Sequence, residues 1–159
     1  MGISSIQQQG RQRMDLSVII PSRHEMFLNR TVENVLQKSK GKTEVIVILD
    51  GQWPEEPLPQ HERLMVVYHP VSVGQRAACN EGAKLSRAKY IMKLDAHCTV
   101  DSGFDVKLIK SAEELGREVV QVPMQFNLHG FDWVCPDGHR RYQGPTKPCD
   151  ECGKDMTRD

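Results

Sequence analysis

The chain has 159 residues, with 21 Lys plus Arg against 21 Asp plus Glu. That length allows one domain with a real core and a small appendage, and zero formal net charge excludes binding to nucleic acid or membrane by overall charge. No apolar run approaches the ~20 residues of a membrane span, residues 2–13 contain no signal-peptide core, and a cytoplasmic location is expected.

In chain order, residues 1–14 read as a flexible tail. Leu16-Ser17-Val18-Ile19-Ile20 reads as a buried strand stopped by Pro21. Leu28, Val32, Val35 and Leu36 then recur at helical spacing, predicting a helix that ends near Gly41. Residues 44–49 form a second continuous apolar strand, closed by Asp50-Gly51. A proline-bearing loop over 52–60 leads to a short third strand, 64–68. A helix over about 74–86 follows, with Ala77, Ala78, Gly82 and Ala83 small enough for close packing on a sheet. Tyr90-Ile91-Met92-Lys93-Leu94 is the fourth strand. Asp101 or Ser102 is the expected cap of a third helix, with Phe104, Leu108, Ala112 and Leu115 on one face and Gly116 at its end. Val119-Val120-Gln121-Val122 reads as a fifth strand. Strands without alternation, separated by helices, imply an α/β domain: a mainly parallel sheet with helices on both faces. Apolar periodicity stops after residue 128, so domains are expected at 15–128 and 129–159.

Polar residues cluster at the carboxyl ends of these strands. Ser22-Arg23-His24-Glu25 follows the first, Asp50-Gly51 the second, and Asp95-Ala96-His97-Cys98 the fourth. In a parallel sheet these ends share one rim, where ligands usually bind, so Ser22, Asp50, Asp95 and His97 are expected to converge. Asp-Gly is equally ordinary turn chemistry. Asp95 and His97, two residues apart at a strand end, suit a divalent cation shared with a phosphate-bearing substrate, and an imidazole ligand favours Mn²⁺ over Mg²⁺.

Four stretches together resemble the family 2 glycosyltransferases, which have the GT-A nucleotide-binding fold. Ser17-Val18-Ile19-Ile20-Pro21-Ser22 is similar to that family's opening strand, with Arg23-His24-Glu25 where Tyr-Asn-Glu is usual. Residues 44–51 resemble the second strand and its Asp-Asp-Gly turn, with Leu49 in place of the first Asp. Gln75-Arg76-Ala77-Ala78-Cys79-Asn80-Glu81-Gly82-Ala83 resembles an Ala-Arg-Asn-x-Gly helix, and Tyr90 to His97 resembles the strand entering the metal-binding D-x-D, here D-x-H. The resemblance implies a metal-dependent, hexosyltransferase-type enzyme that moves a sugar from a nucleotide-sugar, UDP-linked by expectation, to an acceptor. It places Pro21, Ser22, Glu25, Asp50, Arg76 and Asp95 at the donor nucleotide, with Asp50 accepting from the base, and Asp95 and His97 at Mn²⁺ or Mg²⁺. The family's general base lies downstream of D-x-D; Asp132 is the nearest candidate. The chain is expected to carry a donor site and to lack much of an acceptor site. A non-catalytic nucleotide-sugar or nucleic-acid binding module is the alternative.

Cys135-Pro136-Asp137-Gly138-His139 and Cys149-Asp150-Glu151-Cys152-Gly153 resemble the two knuckles of a zinc ribbon. Gly138 stands where a second Cys is expected, and His139 can take its place. Cys135, His139, Cys149 and Cys152 then form a Cys₃His set for structural Zn²⁺; a ribbon that has lost its metal, or free thiols in a disordered tail, are the other readings. His139-Arg140-Arg141-Tyr142 and Lys147 offer a basic strip that could touch nucleic acid, though a solvated loop is the commoner outcome for such a strip.

Overall fold

The computed structural model describes residues 13–116, 118–126 and 131–159. The expected tail lies largely outside these residues, as does the expected boundary after residue 128. The chain divides into two compact units between Gln121 and Val122.

The first unit contains β1 (Leu16–Ser22), α1 (Leu28–Lys38), β2 (Thr43–Asp50), β3 (Leu64–His69), α2 (Gln75–Leu85), β4 (Tyr90–Lys93) and α3 (Phe104–Leu115). The four strands form one sheet in the order β3-β2-β1-β4, parallel throughout. Every residue of β1 and β2 is buried, which explains why both read as unbroken apolar runs. Leu16, Val18 and Ile20 of β1 with Val45, Val47 and Leu49 of β2 pack against Leu28, Val32 and Val35 of α1 and Phe104 of α3. The opposite face, with Ile46 and Ile48, packs against Ala78 of α2. Helices therefore cover both faces, as the α/β reading expects.

Helix α2 lies very close to the sheet. A Cβ at Gly82 would fall 2.5 Å from Ile19 Cγ2, and Ile19 is only 2% exposed in the middle of β1. Gly82→Ala gains about 1 kcal/mol of helix propensity but overpacks a site that has no room to yield, at about 1–3 kcal/mol. Its urea midpoint should fall, by a net ~1 kcal/mol; an unchanged or raised midpoint would show that the helix can lift off the sheet freely.

The structure corrects four details of the sequence reading. Pro21 does not stop β1, which runs on to Ser22. The pairing with β4 covers only Leu16 to Ile19, so beyond Ile19 the strand has β2 alone as its ladder partner, and a residue without an N–H is tolerated there. Residues 119–122 form no strand: Val120 is 95% and Val122 82% exposed, and apolar β-branched residues without a paired neighbour gain nothing from extension. Leu115 is half exposed instead of facing the core, because the last turn of α3 runs past the sheet's buried face. Neither Asp101 nor Ser102 caps α3; Gly103, at φ 68°, holds that position, and the Asp101 carboxylate accepts from the Ser102 N–H and from Lys107.

The second unit has a three-stranded antiparallel sheet, β6-β5-β7, from β5 (Asp132–Val134), β6 (Arg140–Tyr142) and β7 (Thr157–Arg158). Phe131 and Trp133 meet edge to face at 5.3 Å, and the Arg158 guanidinium lies over both rings. No helix among the described residues is long and apolar enough to cross a membrane.

Candidate donor and metal sites

The carboxyl ends of β1 and β2 open onto a cleft of about 230 Å³ lined by Pro21, Ser22, Arg23, Glu25, Asp50, Gly74 and Gln75. Parallel register puts Ser22 beside Leu49, one residue before Asp50, so two strand ends far apart in sequence share this rim. Of the residues expected here, Pro21, Ser22, Glu25 and Asp50 line the cleft. Arg76 does not: it is exposed on the first turn of α2, and its neighbour Gln75 takes the lining position. Arg23, Gly74 and Gln75 were not assigned from sequence; for Gln75, which residue of a helix's first turn faces a rim depends on how the helix docks.

Asp50 is buried and its carboxylate is already well supplied with donors. Val73 N–H donates to Oδ1 at 2.5 Å, while Ser72 Oγ and Gly74 N–H donate to Oδ2 at 2.8 and 3.0 Å. Burial pushes its pKa up, but these bonds and the nearby Arg23 outweigh burial and hold it below the usual 3.8. Gly74 reaches this position with φ 85°, a conformation that disfavours other residues. A carboxylate has about four lone-pair sites, and three are taken. One acceptor position remains, on Oδ1.

The D-x-H loop follows β4. Leu94 N–H still bonds Ile19 O at 2.9 Å, which keeps the loop in line with β1. Thr31 of α1 then clamps it: its hydroxyl donates to Ala96 O at 3.0 Å and accepts from Cys98 N–H at 3.1 Å, and Asn34 Oδ1 accepts from Val100 N–H at 2.8 Å. With Ala96 buried between them, Asp95 and His97 are left partly exposed. Asp95 pairs with the Lys93 ammonium, which a metal ion at that carboxylate would have to displace. His97 Nδ1 lies 3.4 Å from Glu25 Oε2. Asp95 and His97 do not line the cleft themselves; Glu25 is the residue common to both places. An oxygen and an imidazole nitrogen are donor types that suit Mn²⁺, but among the described residues Asp95 and His97 belong to no cluster of three or more ligands. Cys79 and Cys98 both have their thiols pushed up by burial, which suits packed thiols and not ligands.

In the second unit, Cys135, His139, Cys149 and Cys152 present ligand atoms all within 4.8 Å of one another. His139 Nδ1 is 3.4 Å from Cys135 Sγ and 3.6 Å from Cys149 Sγ, and the Cys152 and Cys135 sulfurs are 3.7 Å apart. Tetrahedral zinc with ordinary bond lengths requires S···N edges of about 3.6 Å and S···S edges of about 3.8 Å. Those three edges have that size. Gly138 and Gly153 turn the two knuckles with φ 84° and 71°, and their N–H groups bond back to Cys135 O and Cys149 O. Glu151 Oε2 stands 3.5 Å from His139 Nε2, the outer carboxylate that metal-bound histidines commonly carry. Asp132, the candidate base, lies on β5 with its carboxylate on Arg140 at 3.2 Å. The basic strip is largely engaged within the unit: Arg140 with Asp132 and Asp159, Lys147 with Asp150, Arg141 with the carbonyls of Gln143 and Pro145.

The parallel sheet, wrapped on both faces and with its cleft at the carboxyl rim, is a GT-A-like fold. Two solved structures share it: Staphylococcus aureus TarS 1-349, with TM-score 0.52 and 14% identity over 89% of this chain, and S. aureus TarS, with TM-score 0.51 and 14% identity over 87%. The chain spans 43% and 24% of those two chains. No curated protein matches the sequence. The family model for glycosyl transferase family 2 matches residues 17–147, and the chain belongs to that family.

Proposed function

We propose that the chain binds the donor of a metal-dependent glycosyl transfer, in which a hexose leaves a UDP-sugar for an acceptor hydroxyl. The observation that carries this reading is the rim cleft lined by Pro21, Ser22, Arg23, Glu25, Asp50, Gly74 and Gln75 in a family 2 chain. Asp50 supports uracil as the base. Its one remaining acceptor position matches the single imide N–H of uracil, whereas guanine presents two adjacent donors and needs both carboxylate oxygens. Arg23 and Gln75 bring donors to the same cleft for the flanking carbonyls. Asp95 and His97 would hold Mn²⁺, whose charge stabilises the diphosphate as the sugar C1–O bond breaks. Pro21 and Ser22 then lie along the nucleoside, and Arg76, exposed on α2, is left to approach the diphosphate from outside the cleft.

The Cys₃His cluster would hold structural Zn²⁺, and the five cysteines, unpaired by any disulfide, suit a reducing cytoplasm. UDP should raise the melting temperature only when Mn²⁺ is present, by the few degrees that saturating ligand confers. GDP should do so much less, and Asp95→Asn should remove the effect. A shift of equal size with GDP, or with UDP alone, overturns the reading. Release of UDP from UDP-sugars separates an enzyme from a binding module.

A further inference from the structure

The D-x-H loop and the donor cleft meet at the contact between His97 and Glu25. The Nδ1 to Oε2 separation is 3.4 Å, with the carboxylate 35% and the imidazole 53% exposed. No other partner of the ring is found among the described residues. Both halves of the contact are fixed to one helix. Thr31 of α1 holds the loop on either side of His97 through Ala96 O and Cys98 N–H, and Glu25 O accepts the Leu28 N–H at the helix's start. The fold thus holds the backbone on both sides of the contact, while the two side chains meet at ion-pair distance, outside good hydrogen-bond geometry.

A neutral imidazole carries one proton, and the hydrogen bond made by one nitrogen decides which nitrogen is free to bind metal. A carboxylate at Nδ1 keeps the proton there and leaves the Nε2 lone pair facing outward. We propose that Glu25 is a positioning residue: it fixes His97 as the Nδ1–H tautomer with Nε2 presented to the cation, and does not itself contact the nucleoside. This rests on Asp95 and His97 being the metal ligands. It assigns Glu25 to the metal ligand and leaves recognition of the nucleoside to Asp50, Ser22 and Arg23.

Three measurements on the full chain test it: Mn²⁺ affinity by electron paramagnetic resonance, the His97 tautomer by ¹⁵N NMR in the metal-free protein, and the preference for UDP over GDP at saturating Mn²⁺. Glu25→Ala should weaken Mn²⁺ binding about 10–100-fold, the usual cost of losing an outer-shell partner, and keep the preference for UDP over GDP once Mn²⁺ is saturating. Glu25→Gln should stay within several-fold of the parent, because its amide oxygen still accepts the Nδ1–H. The parent ring should be protonated on Nδ1. A Glu25→Gln loss as large as that of Glu25→Ala would make Glu25 a direct ligand and overturn the proposal. So would an Nε2–H ring, unchanged Mn²⁺ affinity in Glu25→Ala, or loss of the preference for UDP over GDP at saturating Mn²⁺. His97→Ala separates the two levels: if it leaves Mn²⁺ affinity intact, the metal reading itself falls. If it abolishes binding while Glu25→Ala does nothing, only the role of Glu25 falls.

Discussion

Cys149→Ser should leave the C-terminal unit unfolded and metal-free while the parallel sheet stays intact. The unit's buried side chains among the described residues are few: Phe131, Trp133, Cys135, Cys149 and Met156, two of them in the metal cluster itself. So small a core does not offset the entropy of ordering its loops, and in such modules metal binding is the folding energy. Cys149 is the sharpest position to test. The N–H groups of Glu151 and Cys152 lower its thiol to about 7, which favours the thiolate that binds metal. Metal analysis should find about one zinc per parent chain, and none in the variant. The two tryptophans report separately, since Trp133 is buried in this unit and Trp53 is 59% exposed in the other. Loss of the unit should therefore shift emission to the red through Trp133 alone. Buried-type Trp133 emission that survives removal of the metal would show that the segment folds without it.

Asp105→Ala should cost the first unit about 3 kcal/mol, the scale expected when buried donors lose a charged acceptor. The side chain is fully buried at the first turn of α3, where a negative charge also suits the helix dipole. Its carboxylate accepts from Lys40 N–H at 3.0 Å, Gly41 N–H at 2.7 Å and Thr43 Oγ at 2.8 Å, joining α3 to the turn that starts β2. Burial raises its pKa, but the bonds from Gly41, Lys40, Thr43 and Val106 prevail and hold it below 3.8. A depressed native value means the contribution is complete above the ordinary aspartate value and is lost as pH falls from about 4 towards the lower native one. Urea midpoints of parent and variant should thus differ widely at pH 7 and converge in acid. A pH-independent gap would show that the loss is one of packing and not of charge.

Strands β1 and β2 were legible in the sequence because burial on both faces writes itself as an unbroken apolar run. The helices were legible for the same kind of reason: Val32 and Val35, or Ala78 and Gly82, must recur at helical spacing to meet a sheet. The Cys₃His cluster was legible because short chelating spacings can be judged without knowing the rest of the fold. Asp105 was invisible by contrast. An acidic residue in a helix's first turn reads as solvated, and its partners lie 62 to 65 positions away. Asp50 was legible as a rim residue, but not the three donors that occupy it, which arrive from the β3–α2 connection. Residues 119–122 misled for the opposite reason: local strand preference without a partner to pair with does not make a strand.

The end of the sheet at β4 has a practical side. Among the described residues nothing hydrogen-bonds to the outer flank of β4, and Ile91 on that strand is 52% exposed. Val120, Val122, Met124 and Phe126, spaced two apart, are each at least 79% exposed. Unsatisfied ladder groups and an alternating oily stripe are the raw material of self-association. Concentrated samples of this polypeptide are thus prone to cluster, and a lysine at position 91 or 122 is the simplest remedy to try before crystallisation or NMR.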